Sequence, residues 1–309
     1  MGVITSSSFA KALWPGVNAW YGKAYNDYPT EWDKLFESNK SNRAFEEDVG
    51  LSSLGLAVVK PEGSSISYDS ERQGFTSRYN HVVYALGFII TREAYDDDLY
   101  DVVGKKKANA LARSMRQTKE IVAANVYNRA FSTSYVGGDS ASLIASAGGG
   151  GSSSHPTVTG GTFTNGVATA ADLSEAALEQ AVIDIAGFTD DRGLLIAAKP
   201  RKLVLPYQLQ FEAHRILKSV GRVGTDLNDP NAIKDMGMFS DIVVNHYLTD
   251  ADAWFILTDV KDGMKYFERR ADAFDMDNDF DTENAKFKAT GRYSFGWTDP
   301  RGIYGSPGA

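Results

Sequence analysis

The 309-residue chain has no cysteine. That excludes disulfides, thiolate nucleophiles and thiolate metal sites, and it fits synthesis in a reducing compartment. No apolar run approaches the roughly 18 residues of a membrane span, and the N-terminus has no signal-peptide apolar region. Met1-Gly2 with Ser6 partly fits a myristoylation pattern, but a mixed polar sequence follows and nothing else points to a membrane. Positive charge is also short. Lys and Arg number 32 against 40 Asp and Glu, giving a net charge of −8 and a pI near 5.1. A dedicated nucleic-acid binder usually carries a basic patch. An acidic wall suits a protein that encloses nucleic acid without gripping it. What is present, 43% hydrophobic and 12% aromatic residues, is enough to bury a core in one large domain or two ordinary ones.

The first 45 residues are aromatic-rich, with Trp14, Trp20, Tyr21, Tyr25, Tyr28, Trp32, Phe36 and Phe45. Pro15, Gly16, Gly22 and Pro29 interrupt any long helix there. A short helix is predicted near Thr30–Glu37, with Thr30 as N-cap and Asp33 at the third helical position. Aromatics at this density either enter a core or anchor an extended arm on a neighbour. Two extended arms are predicted next, Gly55–Asp69 and Gly74–Thr91, joined by a polar tip at Asp69–Gly74. An isolated two-stranded ribbon is marginal in water, so something outside it is expected to hold it.

Residues Arg92–Phe131 contain no proline and a single glycine, Gly104, and predict about 40 residues of helix, ~60 Å long. Thr91 is the expected N-cap, and Glu93, Asp96, Asp97 and Asp98 favour the positive end of its dipole. Tyr95, Leu99, Val103, Leu111, Met115, Thr118, Val122 and Val126 form the expected apolar stripe. The Gly/Ser/Thr-rich stretch 132–171 predicts a loop between two subdomains. Asp172-Leu173-Ser174-Glu175 opens a helix running to about Gly187. Leu203–Leu205 reads as a buried strand stopped by Pro206, Gln208–Ser219 as a helix, and Asp241–Asn245, Ala253–Val260 and Met264–Arg269 as strands. Lys286–Trp297 alternates strictly, with Phe287, Ala289, Gly291, Tyr293, Phe295 and Trp297 on one face. The chain has no internal repeat.

The chemistry-bearing motifs are few. His81, His155, His214 and His246 lie far apart, with no pair at metal-ligand spacing. There is no nucleophile elbow and no phosphate-binding loop; Gly22-Lys23-Ala24 and Gly104-Lys105-Lys106 fail the latter pattern. Gly148–Gly151 lacks dinucleotide-site spacing. Asp275-Met276-Asp277-Asn278-Asp279 resembles the start of a calcium loop, but Phe280 stands where glycine is required and Lys286 where glutamate is. It reads as a solvated acidic loop. No local sequence nominates a catalytic carboxylate pair. The expected sites are therefore catalytic none, cofactor none and metal none, and the protein is expected not to be an enzyme.

Three stretches, taken in order, resemble the major capsid proteins of tailed bacteriophages. Gly87–Asp98 resembles that family's ribbon-to-spine junction. Lys199-Pro200-Arg201-Lys202-Leu203-Val204-Leu205-Pro206-Tyr207, with the helix through Ala213 and Leu217, resembles its strand, proline, helix signature. His246–Asp250 followed by Ala253–Leu257 resembles the strand pair of its axial domain. The resemblance implies an α+β capsid fold. Residues 1–45 would be an N-terminal arm, 46–90 an extended β-ribbon loop, and 91–149 a peripheral domain with a spine helix. Residues 150–264 would be an axial domain, and 265–309 would return to the peripheral domain.

It further implies a non-enzymatic shell protein that assembles with itself into hexamers and pentamers. The icosahedral head would enclose double-stranded DNA without sequence-specific binding, forming in the host cytoplasm and residing in the virion. Portal and decoration proteins are implied partners. With no long segment before the arm, the scaffold is expected to be a separate protein or a piece already removed. Lys60 lies in the ribbon, but no partner Asn or catalytic acid for a self-crosslink is identifiable. An encapsulin-type compartment shares the implied fold. A soluble hydrolase with a carboxylate pair is the rival from another class, and a tail-tube subunit fits a 40-residue helix poorly.

Overall fold

The computed structural model describes residues 18–91, 93, 103–221, 230–278 and 284–309. Its frame is two four-stranded sheets. The first has the order β1-β10-β11-β4, where β1 is Glu37–Lys40, β4 Val82–Ile90, β10 Met264–Asn278 and β11 Ala285–Trp297. Strand β1 runs parallel to β10 and the remaining pairs are antiparallel. The alternation in β11 sets its orientation. Phe287, Ala289 and Tyr293 are buried, while Lys286 and Lys288 face out, opposite Asp277 and Asp275 of β10. The acidic stretch is thus a strand as far as Asn278 and not a loop; its continuation, 279–283, lies outside the described residues. Strand β10 is 15 residues long, more than twice the predicted Met264–Arg269.

Helix α1 covers residues 18–27 and helix α2 spans Lys105–Asn128. Both lie on this sheet, where Tyr21, Leu111, Met115, Ile90, Phe274 and Phe287 share one core. Of the predicted helix Arg92–Phe131, α2 covers the 24 residues Lys105–Asn128; the predicted N-cap Thr91 is described and lies outside any helix, Glu93 is helical, and 92 and 94–102 fall outside the described residues. The buried row of α2 runs Ala108, Leu111, Met115, Lys119, Ala123 and Tyr127 in steps of three and four, with Ala112, Glu120 and Ala124 buried beside it. Leu111 and Met115 are on it as predicted. Val122 and Val126 flank it, half-buried, and the polar Lys119 and Glu120 sit inside.

The second sheet has the order β12-β9-β7-β8, with β7 Pro200–Pro206, β8 Asp241–Asn245, β9 Trp254–Thr258 and β12 Ile303–Ser306. It is covered on both faces, which is why its strands read as continuous apolar runs. Val204, Val243, Phe255, Leu257 and Ile303 face the end of α2 and the first sheet. Leu203, Leu205, Trp254, Ile256 and Tyr304 face helices α3 (Glu175–Ala186), α4 (Gln210–Lys218) and α5 (Ala232–Asp235). The Ser174 side chain caps α3 through the Ala177 N–H. Strand β12 pairs with β9, so the C-terminal residues return to this sheet and not to the first.

The Gly/Ser-rich stretch is not a loose excursion. Leu143, Ile144 and Ala145 are fully buried. A Cβ on Gly151 would strike the Phe131 carbonyl, and one on Gly148 would lie 2.7 Å from the Val167 carbonyl and the Ala170 nitrogen. Glycine is used here for close backbone approach, a role that composition alone does not distinguish from a linker.

Candidate assembly surfaces

Strands β2 (Phe45–Leu51) and β3 (Gln73–Asn80) form a separate two-stranded ribbon. The predicted first arm, Gly55–Asp69, is not a strand. The partner of β3 is the earlier β2, and the connection is the whole segment 52–72. The predicted second arm is two strands in different sheets, broken at His81. The ribbon's orientation is inverted from the usual apolar-inward arrangement. Glu46 and Asp48 turn toward the body, and Phe45, Val49 and Leu51 face solvent. Along 52–72 the exposure is greater still, at 77% for Leu56, 92% for Val59 and 87% for Tyr68. Apolar surface displayed contiguously in this way marks an interaction site.

Polar clamps hold this element to the body. At its base, Asp48 meets Lys265 at 2.6 Å and accepts from Thr298 at 2.9 Å. The Tyr79 hydroxyl pairs with Thr298 at 2.6 Å. Lys265 also meets Asp262 at 2.6 Å. Burial works against the Lys265 charge, but the two carboxylates outweigh it and raise its pKa. A cleft of about 440 Å3 opens beside this base, between the ribbon, Asp139, Phe163 and Arg301. Further out, Ser53 donates to Asp190 at 2.6 Å, and Arg192 grips Asp69 at 2.7 and 3.2 Å and the Ser70 carbonyl at 2.8 Å. The N–H groups of Gly55 and Ser70, then Arg192, hold Asp69 below the usual carboxylate range.

The N-terminal segment is held differently. Trp32, Leu35 and Phe36 enter the core between the sheets and Tyr21 the core under α2, so these aromatics are intramolecular. Trp32–Lys34 is one 3-10 turn. Thr30 bonds the Asp33 carboxylate at 2.8 Å, and the cap comes from α2 instead. Glu120 accepts the N–H groups of Glu31 and Trp32, each at 3.0 Å. The Lys119 ammonium lies over the rings of Trp32, Tyr266 and Tyr293, at 4.6, 4.7 and 5.2 Å from their centres. Arg116 stacks on Tyr25 and donates to its carbonyl at 3.0 Å. The Tyr25 hydroxyl bonds Asp272. The signal for these groups was in the sequence: continuing from Leu111 and Met115 by steps of four gives Lys119, Ala123 and Tyr127.

The histidines do not converge. His81 is buried between Ser294 and Ser41, at 2.9 and 3.0 Å. His155 is fully buried, with Nδ1 2.6 Å from Asp139 and Nε2 3.1 Å from the Asn165 Oδ1. Asn165 in turn donates to the carbonyls of Leu143, Pro300 and Ile303, tying the Gly/Ser-rich stretch to the C-terminal strand. His246 faces Glu31 at 2.6 Å, and His214 is exposed on α4. Among the described residues no group of three or more His, Asp or Glu could hold a metal ion. No described helix is long and apolar enough to cross a membrane. The polar constellations of this chain join segments of backbone to one another.

Comparison with solved structures shows which fold this is. A virus-like particle protein from Pyrococcus furiosus matches with a TM-score of 0.52 at 11% identity, covering 94% of this chain and 97% of that one. The capsid of Myoviridae phage XM1 matches with a TM-score of 0.52 at 9% identity, covering 92% and 93%. The capsid of a native GTA particle matches with a TM-score of 0.50 at 12% identity, covering 90% of each. Comparison with curated proteins finds no match. A family model described as phage capsid protein matches residues 74–306, from β3 through the last strand. The chain therefore belongs to the phage capsid protein family, and it is a structural protein of a capsid shell.

Proposed function

We propose that this chain is the major shell protein of a tailed-phage head, that it assembles into pentamers and hexamers, and that the closed shell encloses double-stranded DNA. The observation that carries this reading is the ribbon with its connection 52–72. It presents Leu56, Val59 and Tyr68 to solvent while remaining clamped at its base by Asp48 and Lys265. A single chain has no use for such a surface. A second copy covering it would remove the exposed apolar area, and subunit contacts of the obligate class bury more than about 2,000 Å2.

In this reading residues 1–45 act as arm and 46–90 as the loop that overlaps a neighbour. The first sheet with α2 is the peripheral body, and the sheet with α3–α5 is the axial one. Strand β12 joins the axial sheet, so the proposed peripheral segment ends near Asp299. A scaffold, a portal and decoration proteins are the proposed partners, with assembly in the host cytoplasm.

The test is negative-stain microscopy of the expressed chain after size-exclusion chromatography, with and without a co-expressed scaffold. Closed shells, or sheets of hexameric rings, are expected. A monomer in both conditions would overturn the assembly reading. Nuclease-protected DNA in shells from infected cells supports genome enclosure, whereas a protein cargo supports a compartment.

A further inference from the structure

We propose that the exposed run 54–59 of one copy adds as a further strand to the free edge of strand β4 in a second copy. Among the described residues β4 ends the first sheet and pairs on one side only, with β11. A free edge offers a row of backbone N–H and C=O groups to any passing chain, and proteins ordinarily blunt it with charge, proline, a bulge or short length. Strand β4 has none of these. It is nine residues long, Val82–Ile90, without a charged residue or a proline, and its register with β11 runs unbroken through all nine. Val82, Val83, Leu86 and Ile89 are about half exposed. The opposite edge of the same sheet is blunted: β1 is four residues long and carries Glu37 and Lys40.

Residues 54–59 complement that edge. They read Leu-Gly-Leu-Ala-Val-Val, uncharged throughout, and Leu54, Leu56, Val58 and Val59 are exposed. The chain runs from 52 to 61 without a turn or bend and turns back at Glu62-Gly63, where Gly63 takes a φ of +78°. The Gly55 N–H is used by Asp69, but no backbone bond ties residues 56–59 to another described residue. Six residues of strand span about 20 Å and nine about 30 Å, so the run fits within the length of β4. Neither surface holds a charge. Pairing them removes from water only apolar side chains and backbone groups that then bond one another. Backbone bonds would supply the attachment and the alternate apolar side chains the register, as in strand addition generally.

The two partners belong to different copies. Within one chain the ends of segment 52–72 are fixed by Asp190 and Arg192, which lie between α3 and β7 and not on the first sheet, and residues 54–59 pair with no strand there. Across chains the run and the edge are different surfaces, so the contact is heterologous. Contacts of that kind close into rings when the rotation permits, as pentamers and hexamers require. A contact between two β4 edges would instead be two-fold and would stop at pairs. The pairing rests on the shell reading above and names the surface that the overlapping loop meets.

Engineered cysteines test it, because the chain has none of its own. Two full-length chains are co-expressed and oxidised, one carrying Leu56→Cys and the other Val83→Cys, Ala85→Cys, Leu86→Cys or Ile89→Cys. A mixed disulfide can then form only between copies, and only where the Cα atoms come within about 4.4–6.8 Å. All five positions are exposed, so the fold is expected to be kept. At least one register should give the mixed dimer on a non-reducing denaturing gel, and Ser38→Cys on β1 should give none. Where Ala85→Cys is the partner, adding Val83→Lys to that chain places a charge on the edge and should abolish the mixed dimer. No mixed dimer in any register overturns the proposal, as does a disulfide between two β4 cysteines in its place. Closed shells without the mixed dimer overturn the pairing and leave the shell reading standing. The mixed dimer without shells or rings does the reverse, and a chain that stays monomeric and uncrosslinked overturns both.

Discussion

At Gly291 a side chain is excluded by a neighbour on the adjoining strand. The β10–β11 register shifts between Arg270 and Ala273, and the irregularity turns Asp272 over Gly291 while it accepts the Tyr25 hydroxyl. A Cβ on Gly291 would overlap the Asp272 carboxylate. Gly291→Ala is expected to displace that carboxylate and lower stability by about 1–3 kcal/mol, read as a lower urea midpoint at unchanged slope. His81 gives a pH prediction. Burial, aided by Arg292, lowers its pKa, so the folded chain favours neutral imidazole between Ser41 and Ser294. That contribution is present above the ordinary value of 6.5 and is lost as pH falls through and below it. His81→Gln should flatten the acid limb of a global stability profile.

Among the elements, helix α2 reaches the cores of both sheets. One end lies under the first sheet and α1, and the other reaches Phe255 through Tyr127. Ala112, fully buried, is in its interior. Ala112→Pro removes a backbone donor and sets the ring against the preceding turn, costing about 3 kcal/mol or more. The expected result is an aggregated or protease-sensitive chain, read by circular dichroism and limited proteolysis. This helix was legible because period and composition agree over many residues. Strand β11 was legible because its two faces differ so sharply, and β7 and β9 because burial on both faces leaves continuous apolar runs. The ribbon was misplaced because its signal is inverted. The apolar residues of β2 face outward, and the apolar run 54–59 that resembled a strand pairs with no strand among the described residues. Stretch 132–171 was misread because close backbone packing and flexibility call for the same residue, glycine. Lys119 and Glu120 were missed because a polar residue on an apolar row reads as a break in the row.

For the whole molecule, the argument turns on where apolar surface is left uncovered. Helices α1–α5 cover the sheets' core faces and residues 143–146 fill the joint between them, but the edge strand β4 leaves Val82, Val83, Leu86 and Ile89 about half exposed. The ribbon and segment 52–72 combine several large exposed apolar residues with polar anchors at both ends, Asp48–Lys265 at the base and Asp69–Arg192 farther along. The second is a solvent-exposed ion pair, which water and salt weaken, so it orders the segment without committing it. Replacing residues 54–68 by a short Gly–Ser turn keeps β2, β3 and both clamps' body-side residues. Because the removed side chains are mostly solvated, the variant is expected to unfold within about 1 kcal/mol of wild type. It should nevertheless stop at free subunits or isolated capsomers where the wild type closes shells, as read by size-exclusion chromatography and microscopy at matched concentration. Normal shells from that variant would remove the ribbon connection from the assembly contacts. A variant that cannot fold would instead show that the exposed segment supports its own chain, and the two outcomes separate cleanly on the unfolding curve.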